Sequence, residues 1–154
     1  MLEVAPQPDI ASRPSRLPRW VEVLTVILLA LSFITGGLFW LGQGRLQELD
    51  PPAWFNFCRI AHGCLNPFLC ALFGYLLCQH IRYGWELKVN RPSGFAIEGI
   101  MAGLILSGVG LYYLGNETAR DIVVWIHRVL GFALPIGFVA HWVAARRWVK
   151  NFSK

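Results

Sequence analysis

Charge is what this chain has least of. Only 15% of its 154 residues are Asp, Glu, Lys or Arg, against roughly a quarter in ordinary soluble domains. With 55% hydrophobic residues and a mean hydropathy of +0.47, that scarcity excludes a soluble globular protein and indicates an integral membrane one. A small-residue cleavage site is also missing after the first apolar run. A 19-residue tail rich in proline and arginine precedes that run, so it reads as a span and not as a cleavable leader. The net charge of +5 does not indicate nucleic acid, because the basic residues gather beside apolar runs, where orientation signals belong.

What is present in place of charge is four apolar segments, about 20–41, 55–81, 95–114 and 122–143. Each is long enough to cross a hydrocarbon core, which takes about 20 residues. The connections 42–54, 82–94 and 115–121 are short, and turn residues mark the first two: Asp50-Pro51-Pro52 and Asn90-Arg91-Pro92. The expected fold is therefore all-α, one up-down-up-down four-helix membrane bundle over 20–149. Residues 1–19 form a tail and 150–154 a C-terminal end. Trp20, Trp40, Trp54, Trp85, Trp142 and Trp148 cluster at the span ends as an aromatic belt.

Lysine and arginine set the expected orientation. Arg13, Arg16 and Arg19 lie in the tail, Arg82, Lys88 and Arg91 in the second loop, and Arg146, Arg147, Lys150 and Lys154 at the C-terminal end. The first and third loops hold only Arg45 and Arg120, offset by Glu48, Asp50, Glu117 and Asp121. The positive-inside rule puts both termini and the second loop in the cytoplasm of a bacterial-type inner membrane. Spans two and four then run parallel, from the outside inward.

Histidine is as scarce as charge, and its placement is the most informative feature of the chain. All four histidines lie in spans two and four: His62 and His80 in one, His127 and His141 in the other. At about 100° per residue, the 18 residues from His62 to His80 make five whole turns. The 14 residues from His127 to His141 fall about 40° short of four turns. Each pair shares a helix face, and His62 should match His127 in height near the outside, as His80 matches His141 near the inside. At 1.5 Å per residue the two spacings differ by about 6 Å, which tilt or a bend at Pro67 would have to absorb for the inner pair to meet.

Ionisable residues inside spans usually face a bundle interior and mark function. One membrane histidine can be a polar bridge between helices; four, paired by face and height, favour ligation. Zinc or copper wants several ligands close together, often with carboxylate or thiolate, and spans two and four hold no acidic residue. Haem wants one axial ligand on each side of its plane, an arrangement available here twice, and bis-histidine ligation suits electron transfer. Cys58, Cys64, Cys70 and Cys78 form no C-x-x-C or C-x-x-C-H, which excludes covalent c-type attachment. Their spacings of 6, 6 and 8 put them on no common face, so they read as small hydrophobes.

Arg59, one turn before His62, and Arg128, directly after His127, either snorkel to the outer interface or pair with haem propionates, which arginine matches with a bidentate fork. Glu98, on the inner side of span three, reads as an interface residue or as a proton acceptor beside a quinone or the inner haem. Small residues such as Gly36-Gly37, Gly63, Gly99-x-x-x-Gly103 and Gly131 allow close helix packing, and would equally let a flat macrocycle lie against a backbone.

With Arg59-Ile60-Ala61-His62 and His80-Ile81-Arg82 on span two, and His127, Leu134-Pro135 and His141 on span four, the chain resembles the di-haem four-helix core of the cytochrome b superfamily. The resemblance covers nearly all of residues 20–148. The hydrogenase and formate dehydrogenase cytochrome b subunits are similar in size and in the 14-residue spacing of the last helix. They usually place a ligand on the first helix, which has no histidine here, and the 18-residue spacing on span two is longer than the family's common value. The resemblance implies two non-covalent b haems, quinone or cytochrome c as redox partner, and membership of a larger membrane complex of the respiratory-chain kind. The expected function is electron relay through iron held by His62, His127, His80 and His141. The rivals are a structural anchor without haem and, third, a quinol-oxidising or ferric-reducing enzyme.

Overall fold

The computed structural model describes residues 17–44, 51–87 and 91–152. Arg13, Arg16, Arg45, Glu48, Asp50, Lys88 and Lys154, on which part of the orientation argument rests, lie outside them. The described chain is helical: α1 (Arg19–Leu41), α2 (Ala53–Leu76), a π-helical turn (Leu77–Ile81), α3 (Arg82–Leu87), α4 (Arg91–Tyr113) and α5 (Glu117–Phe152). Four spans are long and apolar enough to cross a membrane, Arg19–Leu41, Ala53–Glu86, Arg91–Tyr113 and Glu117–Arg147. This is the all-α four-helix membrane bundle expected from the hydropathy pattern.

The boundaries differ from expectation on the second connection. Arg82–Leu87 is helix rather than loop, and Arg82 Nε and Glu86 Oε1 pair at 3.2 Å across one of its turns. Charge there lines a helix end at the interface. Arg91–Gly94 is helical too, with Pro92 in the first turn, where its missing N–H costs nothing. The fourth span likewise continues as helix past residue 143 to Phe152.

Helix order around the bundle decides what its centre can hold. α1 packs along α2 and α4 along α5, while α2 touches α4 and α5 touches α1 only sparsely. The histidine-bearing α2 and α5 therefore sit diagonally, with the two hairpins approaching one another across the centre. Within the second hairpin the approach is close: a Cβ on Gly103 would fall 2.7 Å from Leu130 Cδ1. Phe55, 1% exposed, anchors the α1–α2 connection end of the first hairpin against Phe39 and Trp54. Buried hydroxyls are satisfied within their own helix, Thr25 donating to the Val21 carbonyl and Thr35 to that of Leu31, both at 2.7 Å.

Candidate functional site: two histidine pairs across the bundle

The structure brings the four histidines together in the pairs their spacing anticipates. His62 and His127 have ring centroids 6.1 Å apart with planes at 85°. His80 and His141 have centroids 6.2 Å apart with planes at 86°. Two sites at opposite ends of the bundle thus share one geometry. Two imidazoles bound to one metal atom from opposite sides, each at a metal–nitrogen distance of about 2 Å, place their centroids roughly 6 Å apart.

The unequal spacings are reconciled at the π turn. α2 remains one helix through Pro67, and the departure from α geometry comes at Leu77–Ile81, which contains His80. A π turn spreads each revolution over more residues than an α turn, with less rise per residue. The 18-residue step therefore falls short of five full turns, in the same sense as the 14-residue step falls short of four. The turn also takes up part of the excess length. π-bulges of this kind recur at functional sites.

Neighbouring helices hold the rings by Nδ1. On α1, the Ser32 carbonyl lies 3.0 Å and Thr35 Oγ1 3.4 Å from His62 Nδ1. A carbonyl only accepts, so Nδ1 carries the proton and donates, and the lone pair is left on Nε2. On α4, Ser107 donates to the Leu104 carbonyl at 3.2 Å, so its oxygen accepts from His127 Nδ1 at 2.8 Å. That again leaves Nε2 for a ligand. His141 Nδ1 lies 3.0 Å from Ser93 Oγ. His80 Nδ1 is buried with no hydrogen-bond partner among the described residues. None of these serine and threonine partners is legible as a site residue from sequence, since a hydroxyl in a span ordinarily bonds its own backbone.

Arg128 is half-buried, donating to Gln43 and lying 5.3 Å over the Trp125 ring, one residue from His127. Arg59 is exposed. At the end that holds His80 and His141, Arg146 stacks on Trp142 at 3.7 Å. Glu98 Oε2 is buried without a hydrogen-bond partner among the described residues. A second acidic residue, Glu22, lies in the first turn of α1.

The four cysteines are free: Cys58 is buried, Cys70 hydrogen-bonds Asn66, and Cys64 and Cys78 are exposed. Among the described residues no three His, Cys, Asp or Glu side chains converge as a metal-binding group. Each site offers two imidazoles alone, too few donors for a protein-built zinc or copper centre. Two are what a tetradentate macrocycle needs from the protein. No family model, curated protein or solved structure matches the chain.

Proposed function

We propose that the chain is a di-haem b-type membrane cytochrome that relays electrons across a bacterial-type cytoplasmic membrane. The observation that carries this reading is the equality of the two histidine pairs, at 6.1 and 6.2 Å, despite an 18-residue spacing on one helix and a 14-residue spacing on the other. A packing accident has no reason to equalise them, and ligation of the same group at both ends does. His62 and His127 would hold the outer haem, His80 and His141 the inner one. A bis-histidine haem supplies one-electron transfer without an open position for oxygen.

In this reading the chain's own residues orient the ligands and neutralise charge. Ser32, Thr35, Ser107 and Ser93 fix ring positions through Nδ1, and Arg128 and Arg59 are the outer propionate partners. Arg128 is favoured of the two because it is half-buried and already anchored by Gln43. The basic residues flanking the spans support a cytoplasmic position for both termini. The chain would serve as the anchor subunit of a larger redox complex, exchanging electrons with a quinone or a cytochrome c. The second reading is a structural anchor whose histidines only bridge helices, and the bonds from α2 to α1 and from α5 to α4 favour it. Those bonds, however, use Nδ1 and leave the approach of the rings in pairs unexplained.

A reduced-minus-oxidised visible spectrum with pyridine haemochrome quantification separates the two. Two non-covalent b haems per chain are expected. His62→Ala and His127→Ala should remove the same component, and His80→Ala and His141→Ala the other. A chain purified without haem returns the protein to the anchor reading.

A further inference from the structure

We infer that one turn of α1, formed by Ser32, Thr35 and Gly36, is the positioning seat of the outer ligand His62. A span that contributes no ligand would thereby set how the outer haem is held. The inference rests on the di-haem reading. Residues 32, 35 and 36 stand at i, i+3 and i+4, on one face of α1, and all three meet the His62 ring. The Ser32 carbonyl accepts from Nδ1 at 3.0 Å and Thr35 Oγ1 lies 3.4 Å from the same atom. The ring also lies against the bare Cα of Gly36. A Cβ there would fall 2.7 Å from Cε1, 3.0 Å from Nδ1 and 3.4 Å from Nε2.

Among the described glycines, so close an approach to a histidine ring is particular to Gly36. A Cβ on the adjacent Gly37 would meet nothing within 4 Å, and one on Gly108, beside His127, would make ordinary contact with Cε1 at 3.7 Å. Helix packing alone asks for small residues where backbones or bulky side chains approach. Here the approaching group is the imidazole itself, held by the Ser32 carbonyl on the same face of α1. The ring cannot clear a methyl group at residue 36 without lengthening the Ser32 bond or rotating. Rotation changes the 85° between the ligand planes. Near-perpendicular imidazoles keep the two iron π orbitals equivalent, so turning one ring alters the anisotropy of the low-spin ferric signal.

The test is electron paramagnetic resonance of the oxidised full-length chain, with haem content measured on the same sample. The outer signal is identified as the one lost in His127→Ala. In Gly36→Ala the outer signal should shift or disappear, while the inner signal keeps its wild-type intensity and so reports an intact fold. Gly37→Ala should match the wild type in both. Thr35→Val, which keeps the side-chain shape and removes the hydroxyl, should shift the outer signal less than Gly36→Ala does. Two haems and an outer signal identical in Gly36→Ala and Gly37→Ala would overturn the inference. If Gly36→Ala lost both haems, Thr35→Val decides, and an unmoved outer signal there overturns it. A wild-type chain without haem is a different failure, and overturns the di-haem reading itself.

Discussion

Ser107→Ala isolates one hydrogen bond at the outer site with little else disturbed. Ser107 is 7% exposed, its side chain is nearly the volume of alanine, and its oxygen lies 2.8 Å from His127 Nδ1. Losing the acceptor removes a bond worth about 1 kcal/mol net and leaves Nδ1–H with only the Leu104 carbonyl nearby. The bond makes the imidazole a stronger donor through Nε2 and so favours the oxidised metal. If the pair holds a haem as proposed, loss of the bond raises the outer midpoint potential. Both oxidation states lose the bond, so only the difference registers, and about 1 kcal/mol sets a ceiling of roughly 40 mV for a one-electron couple. A rise of about 20–40 mV in one of two components is expected, the other staying fixed. Redox titration of the visible absorbance measures it, with the outer component identified through His62→Ala. Two bound haems with an outer midpoint that falls or stays put would refute the assigned tautomer and the role of the serine.

Ser93→Ala should move the inner midpoint and leave the outer one unchanged, because Ser93 meets His141, and the same titration checks it. Arg128→Leu should lower the outer midpoint by some tens of millivolts, since a nearby cation favours the reduced state. Arg59→Leu should do so by less, because Arg59 is exposed, and no shift in either would return both arginines to the interface. A reporter active only outside the cytoplasm should work in 42–54 or 115–121 and fail after Lys154; activity at Lys154 would invert the orientation. Chain produced without haem should show weakened cross-linking between residues of α2 and α5 relative to α1 and α2. Equal cross-linking in both preparations would show that the bundle closes unaided.

The parts of this molecule that repeat with a helical period were legible in its sequence. Apolar runs define the four spans, and the face and height of His62, His80, His127 and His141 follow from residue counts. The extent of the second span was not, because Arg82 and Glu86 look like a loop until their one-turn pairing is seen. The π turn at Leu77–Ile81 has no composition of its own. It arises where a strictly α-helical span would misplace His80, so only the position of His141 on another helix makes it intelligible. Thr35 and Ser107 escaped for a related reason. A hydroxyl in an apolar helix bonds the preceding turn by default, and Thr35 and Ser107 do so here. Their second contact, to an imidazole, depends on which helices are neighbours, and the order α1, α2, α4, α5 around the bundle cannot be counted off a single chain.

That order has an energetic consequence. In lipid there is no hydrophobic drive between helices, so association depends on close packing and on polar contacts. Both are concentrated within the hairpins: His62 bonds α1, and His127 and His141 bond α4. Between the hairpins the described contacts are sparse, with Phe33 and Trp40 of α1 meeting Phe132 of α5 edge-on at the outer end. The histidines of the diagonal helices also pair across the halves, each hairpin supplying one ring to each pair. A group bound between the rings would therefore bridge the two hairpins at both ends of the bundle. Its binding free energy would then be assembly free energy, as holds wherever no preformed site exists in the separated parts.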